Sequence, residues 1–535
     1  MAPGMLPLLL FVVTTMGSVS AFISPLLSYD AVEAEGGASR TEVAQDVDAP
    51  NMYSATARIL RVDCNQRAKN PAAAAGGAFA SVQAALDSPL LTGNAVVEVA
   101  EGVCHLDAPL RLGARHSSTV LRGRGPRSVL SGGKPLEGWQ PASWEGAPAG
   151  SVFAADISAW PAEIKTLRHG SAVVPRARWP HLTGDGLATP NFLFAMAWSH
   201  HPSGASRGRA LHGLGVDPTK LPPAAAANLS ALVGGYAHIL GCVEKDVNSQ
   251  MTKILSVGGS AQAPLADVLF RGSFTTNQRY FLENVRWALT EGSFFVDEAA
   301  GKIYYWPAAG AAAAAVGTPP MGVVAPTLDR LIDLEHVSGH LISNISFMDT
   351  TYYSDGYWDG PAQQPNDAAV RVNYCSAIRI EGCNFVASLS GYGVAIGNSS
   401  VDVTVRGSLF DSLGQGGVIL YGFDHSPVPG VPGRATGNNT EPRRALITEN
   451  VITNIGTILV HVAGVGLRSA SECLVSHNRI TKGPRYGLQA DSFYTGEGGA
   501  GTSLTSRGNV FEYLLQLAIR LSLQTYLHLL YNFVD

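Results

Sequence analysis

The sequence predicts an all-β chain wound as a right-handed parallel β-helix, a solenoid, with an antiparallel β domain inserted into it. Three observations carry this. The first is a recurring Asn or Ser ahead of a short β-prone run: Asn344-Ile345-Ser346-Phe347, Asn384-Phe385-Val386, Ser408-Leu409-Phe410, Asn450-Val451-Ile452, Asn478-Arg479-Ile480 and Asn509-Val510-Phe511. The spacings are 40, 24, 42, 28 and 31 residues. Loop insertions at Thr350–Asn366 and Phe423–Arg443 account for the two long intervals, leaving a period of roughly 20–30 residues, the range of solenoid repeats. The second is an in-phase repeat, Gly393-Val394-Ala395-Ile396, Gly417-Val418-Ile419-Leu420, Gly464-Val465-Gly466-Leu467 and Tyr486-Gly487-Leu488-Gln489, which gives each coil at least two strands. The third is a long stretch with neither repeat, rich in scattered aromatics and Ala-Pro-Gly punctuation.

Taken in order, residues 1–21 have the form of a secretory signal peptide, with an apolar run Leu6–Val13 and small residues up to Ala21. The run is far short of the roughly 20 residues a membrane-spanning helix needs, so secretion without a membrane span is the expectation. Residues 22–77 read as a low-complexity leader. Residues 78–134 carry an N-terminal cap, with Phe79, Val82 and Leu86 at helical spacing, and the first strands around Ala95–Ala100, Thr119–Gly123 and Ser128–Gly132. A cap is needed because the first coil of a solenoid otherwise exposes its apolar end. Residues 135–318 form the inserted domain, whose clearest hairpin is Ser293–Asp297 with Lys302–Trp306. Residues 325–513 are the helix repeats. In them Asn is expected to hold a corner by tolerating the left-handed conformation and bonding the neighbouring coil, and Gly to hold another corner without a Cβ penalty. Residues 514–535 have helical rather than coil spacing, either as an amphipathic cap or as the product of a truncated or frame-shifted reading frame.

A net charge of −5 with no basic cluster argues against nucleic acid as the partner. Six cysteines lack any C-x-x-C spacing, which disfavours structural zinc. Cys64 with Cys104 is the favoured disulfide because both flank the start of the folded region, although spacing alone does not fix connectivity. Sequons at Asn228, Asn344, Asn398 and Asn438 make the chain a candidate glycoprotein.

Several stretches resemble a family of secreted, pectin-lyase-like β-helix proteins that includes bacterial glycoside hydrolases of the α-L-fucosidase and xylanase kind. They are Pro175–Pro180, Asn277–Val285, Phe294–Asp297 with Gly301–Pro307, Asn478–Leu488 and Gly508–Tyr513. The resemblance implies a monomer that acts on a polysaccharide or oligosaccharide. After Tyr513 the chain departs from that family's continuation, an Asn-His-x-His-Asp coil and an Asp-Thr-Gly loop.

Glycoside hydrolysis needs two carboxyl groups facing one cleft. Asp424 and Asp491 are the candidate acid and base, because equivalent positions in successive coils stack at the strand spacing. Asp also favours turns, which is the structural alternative for each. His425, beside Asp424, and Arg485 and Tyr486 are candidate substrate contacts in the same groove. The loop Tyr352–Asp359 supplies Asp355, Tyr357, Trp358 and Asp359, whose aromatic rings pack on sugar faces and whose carboxylates accept hydroxyl hydrogen bonds. A loop folded on its own aromatics explains the same residues. No cofactor is expected for a hydrolase. The rival reactions are uronate lysis, in which Ca²⁺ commonly takes part, and glycan binding without turnover.

Overall fold

The computed structural model describes residues 57–64, 78–182, 191–196, 198–206, 209–242, 245–260, 263–270, 278–308, 317–352, 368–422, 440–468 and 470–491, with strand segments at 11–15, 18–22, 502–507, 509–514, 517–522, 525–530 and 533–534. The chain is a right-handed parallel β-helix. Each coil contributes one strand to each of three parallel sheets, as in Ile332–Glu335 for sheet 1, Leu341–Ser343 for sheet 2 and Ser346–Met348 for sheet 3. The following coil repeats the order with Ala368–Asn373, Arg379–Glu381 and Asn384–Phe385, in register with the first.

The coil interior is a stack of like residues. Phe347, Phe385 and Phe410 lie one above the next with ring centroids 4.8 and 4.6 Å apart, and Ile452, Ile480 and Phe511 extend the column. Each is buried, so every coil seals its neighbour's core.

From Leu341 onward the turn between sheets 2 and 3 is two residues long in every coil. Its first residue has positive φ, 54–59°, at Asn344, Gly382, Gly407, Glu449 and His477. Its second residue faces inward. In the later coils that residue is Asn450, Asn478 and Asn509, which form a ladder. Nδ2 of Asn450 donates to Oδ1 of Asn478, and Nδ2 of Asn478 to Oδ1 of Asn509, both at 2.9 Å. The same amides donate to the carbonyls of Val405 and Ile447.

This corrects the expected alignment. Asn450, Asn478 and Asn509 bond across coils as anticipated, but the left-handed position belongs to the residue before them. Asn344 occupies that preceding position, while Asn384 sits one place later, opposite Ser346 and Leu409. The repeating glycines also act differently. Gly393, Gly417 and Gly464 lie at the start of sheet 1 and are not left-handed. A Cβ on Gly393 would sit 2.5 Å from the Phe410 ring, and one on Gly464 2.5 Å from Ile480 Cγ2. They are small to admit the interior column, not to turn a corner.

At the N-terminal end the helix Val82–Leu86, capped by Ser81, buries Val82, Ala85 and Leu86 over the first coil. Phe79 belongs to a two-residue strand instead of this helix. Cys64 and Cys104 are disulfide-bonded, tying the first strand of sheet 2 to the first of sheet 3. The helical spacing expected of 514–535 is overturned. Leu517–Ser522, Thr525–Leu530 and Phe533–Val534 add one parallel strand to each sheet. From Ile519 to Gln524 the segment alternates apolar Ile519, Leu521 and Leu523 with polar Arg520, Ser522 and Gln524, the period-two pattern of a strand.

The chain leaves the helix after Ser128–Ser131 of sheet 3 and returns at Ile332–Glu335 of sheet 1. The excursion is antiparallel throughout its named sheets, and its Ser293–Asp297/Lys302–Trp306 hairpin has the expected register. A buried clasp anchors it. Arg168 of the excursion donates from Nε and Nη2 to the two oxygens of Asp349 at 2.7 and 2.9 Å, and Ser131 donates to Oδ2 at 2.7 Å. Asp349 is wholly buried and satisfied on both oxygens, as a buried carboxylate must be.

Replacing Asn478 with Ala removes two donors and leaves the Asn450 amides without their acceptor. A loss of about 2–4 kcal/mol in urea unfolding is expected, since each stranded buried polar group costs about 1–3 kcal/mol. A change below about 0.5 kcal/mol, the scale of ordinary surface substitutions, would deny the ladder its role.

Candidate functional site

From Leu110 onward the long connections border sheet 1. The excursion and residues 349–367 enter at its start, and residues 422–445 and 492–501 leave from its end. The short turn between sheets 2 and 3 has no room for loops. Function on a solenoid falls where loops can vary, which here means the outer face of sheet 1 and its two margins.

Register defines the rows on that face. One row runs Asp333, Arg371, Ala395, Ile419, Gly466, Gln489, and the next runs Glu335, Asn373, Gly397, Tyr421, Arg468, Asp491. The Arg371 Nε donates to Asp333 at 2.7 Å, and the Tyr421 hydroxyl donates to Asn373 Oδ1 at 2.9 Å. Ala368, Tyr392, Ala395, Ile419 and Tyr421 form a buried apolar patch on this outer face. Burial raises the Tyr421 phenol to about 12, against the opposing pull of Arg371. That hydroxyl therefore stays protonated, as a hydrogen-bond donor, across the neutral range. Gly397 is forced by the ring beside it, since a Cβ there would lie 2.2 Å from Tyr421 Cζ. Gly466 is different: a Cβ there would meet only Ile419 Cγ1, at 3.7 Å, so the floor is open at that point.

Asp491 is the last residue of the strand Tyr486–Asp491, with its backbone opposite Arg468, which is in turn opposite Tyr421. Asp424 follows Tyr421 by three residues. The strands that lead to the two carboxylates thus end at one margin of sheet 1, two strand spacings or about 10 Å apart. Asp424, His425, Asp355, Tyr357, Trp358 and Asp359 themselves lie outside the described residues, and for Asp491 only the backbone is described.

Arg485 and Tyr486 lie at the opposite margin, about 17 Å from Asp491 at a rise of 3.3–3.4 Å per residue. Both are buried, with the Arg485 guanidinium 4.6 Å from the Tyr486 ring and the His461 ring 6.1 Å away. The structure therefore brings the Asp424 and Asp491 strands together and holds Arg485 and Tyr486 away from them. Among the described residues no three His, Cys, Asp or Glu side chains gather as a metal site. No described helix is long and apolar enough to cross a membrane.

The excursion adds a wall that sequence reasoning did not identify. Its strand Arg279–Glu283 lies between Arg178–Trp179 and Tyr236–Cys242, and one face carries the row Arg178, Glu283, Tyr236 with Phe281 and His238 beside it. This face meets the helix where Tyr236 and Met251 pack with Tyr352 and Ile458, and where Phe192, Leu240 and Phe281 pack with Val460. Burial drives His238 down to about 3, so it is neutral at physiological pH. Burial also raises the Glu283 carboxyl, against the pull of Arg176 and Arg178. The available signal was the charged Arg279 and Glu283 bounding the apolar run Tyr280-Phe281-Leu282, with Arg176 and Arg178 in a second short stretch.

No protein-family model and no curated protein sequence matches the chain. Solved structures do. The chain is similar to a glycoside hydrolase at TM-score 0.62 and 16% identity, over 89% of this chain and 96% of that one. Because the excursion is more than a third of the sequence, a match of that extent includes much of it. The match shows a shared fold. Weaker likenesses are a family 28 exopolygalacturonase from Yersinia enterocolitica, at TM-score 0.32 and 11% identity over 90% of this chain and 66% of that one, and the periplasmic alginate epimerase AlgG, at 0.23 and 11% over 38% and 46%.

The two glycines separate by size tolerance. Gly397→Ala is expected to lower stability by about 1–3 kcal/mol through overpacking against Tyr421. Gly466→Ala is expected to change it by less than about 0.5 kcal/mol. Equal effects in thermal unfolding would mean that the floor of sheet 1 is not shaped as described.

Proposed function

We propose that the chain is a secreted glycoside hydrolase that lays a polysaccharide on the outer face of sheet 1 and cleaves it at the margin where Asp424 and Asp491 arise. The observation that carries this reading is the convergence of those two strand ends beside a face that the long connections after Leu110 border. One carboxyl group donates its proton to the departing glycosidic oxygen as the carbon–oxygen bond breaks. The other accepts a proton from the water that supplies the new hydroxyl. His425 and the residues Asp355, Tyr357, Trp358 and Asp359 supply sugar contacts from the flanking loops. The likeness to a glycoside hydrolase over 89% of this chain supports the choice of chemistry. Secretion is supported by the apolar run at residues 6–13 and by the Cys64–Cys104 disulfide, which persists in an oxidising compartment.

The test is release of reducing ends from a panel of plant, algal and microbial polysaccharides, followed by ultraviolet absorbance for unsaturated products. Asp491→Asn and Asp424→Asn should each lower turnover by about 10²–10⁴-fold, the usual contribution of a positioned acid or base, with unfolding midpoints unchanged. Full activity in either variant removes that residue from the mechanism. Unsaturated products would make the protein a lyase, and saturable binding without turnover a glycan-binding protein.

A further inference from the structure

The wall contributed by the excursion gathers three cations, Arg176, Arg178 and Lys165, around two carboxylates, Glu163 and Glu283. Arg178 hydrogen-bonds carbonyls, from Nε to Pro180 at 3.1 Å and from Nη2 to Asn191 at 2.7 Å, and its guanidinium stacks 3.7 Å from the Phe281 ring. No carboxylate of a described residue lies within ion-pair distance of it. Burial holds Arg178 down to about 10, with the Glu283 charge pulling the other way. Arg176, with a side chain only 3% exposed, bonds the Ile164 carbonyl and reaches Glu163 at 3.6 Å through the same nitrogen, Nη2. Its Nε and Nη1 are buried and have no partner. Glu163 is already engaged by the Tyr236 hydroxyl at 2.6 Å and by Lys165 at 3.8 Å.

Glu283 does not complete the pairing. It stands directly opposite Arg178 in the sheet and its charge acts on both Arg176 and Arg178, but it forms no close ion pair with either. A buried N–H without an acceptor costs about 1–3 kcal/mol, so a site that keeps two on the Arg176 guanidinium suits an acceptor from outside. Arg178 is only partly buried, which gives that acceptor a way in.

We propose that this wall binds an oxyanion, the carboxylate or sulfate substituent of an acidic sugar, at Arg178 beside Arg176 and Glu283. Guanidinium groups match oxyanions through charge-assisted hydrogen bonds. The site adjoins the margin of sheet 1 opposite Asp491, so it grips a chain that crosses the sheet without touching the bond being cleaved. The sugar that carries the oxyanion rests on the functional reading above; the oxyanion itself does not.

Calorimetric titration of the full chain with D-galacturonate, D-galactose and sodium sulfate tests this. Galacturonate should bind about tenfold or more tighter than galactose, and Arg178→Gln should weaken it by a similar factor, the worth of one charge-assisted hydrogen bond. Sulfate that displaces galacturonate and binds as tightly would assign the site to free oxyanions rather than to acidic sugars. Because Arg178→Gln removes packing as well as charge, phenylglyoxal modification of the unaltered protein is the second measurement. Galacturonate should slow adduct formation at Arg178 in peptide mass spectra, and unprotected modification overturns the proposal. Equal affinity for galactose and galacturonate, or no binding of any probe, overturns it too. Asp491→Asn should bind galacturonate unchanged, so failure of the hydrolase reading and failure of the oxyanion site are separate results.

Discussion

Everything in this molecule follows from keeping successive coils in register, and the two-residue turn between sheets 2 and 3 is where register is held. One residue there takes the left-handed conformation and the next turns inward. In the later coils that inward residue is an Asn whose amide hydrogen-bonds the backbone of the preceding coil and the side chain of the next. A slip by one residue would send Phe410 and Ile452 outward and strand these amides in an apolar interior. The interior column and the ladder therefore reinforce each other, and the outer rows of sheet 1 inherit their alignment from both.

The excursion is fixed to that frame by few contacts of high consequence. Arg168 crosses from it to Asp349, which also accepts from Ser131 on the last strand before departure. The residue that begins the exit and the residue that follows the re-entered coil thus share one buried carboxylate. Desolvating such an ion pair is costly, so its value lies less in net stability than in specifying how the excursion sits against the helix. The packing of Tyr352 and Ile458 against Tyr236 and Met251 then needs no further guide.

The fold was legible because solenoid order writes itself as repeats, and Asn450, Asn478 and Asn509 are spaced by whole coils. The alignment of Asn344 and Asn384 with them was not legible, because both flank the turn and a one-residue offset leaves the spacing nearly unchanged. Gly393 and Gly464 were read as corner residues since a glycine carries no mark of what it makes room for. Their reason is the Phe410 ring and the Ile480 side chain, contacts from another sheet. At the site, stacking by coil was enough to expect that Val418–Tyr421 and Tyr486–Asp491, the strands leading to the candidate carboxylates, end at one margin. The same logic assigned Arg485 to their groove, because repeat phase says which coil a residue belongs to and not which end of the strand it occupies. Arg178 and Glu283 lie more than a hundred residues apart and meet only through antiparallel pairing, for which no periodic signal exists.

The turn that holds register also decides where chemistry can go. An insertion between sheets 2 and 3 would break the ladder and leave buried amides unpaired in two neighbouring coils, so that edge stays closed. The edges of sheet 1 carry no such ladder and tolerate loops of any length, and the excursion and the other long connections after Leu110 lie there. A solenoid of this kind thereby presents one working face with two independently variable margins. One margin can accumulate carboxylates at strand ends while the other acquires a separately folded wall with its own charge. Because the wall pairs its strands internally, its arginines can change without disturbing the register of the helix, and the charge of the wall can vary independently of the strand ends at the other margin.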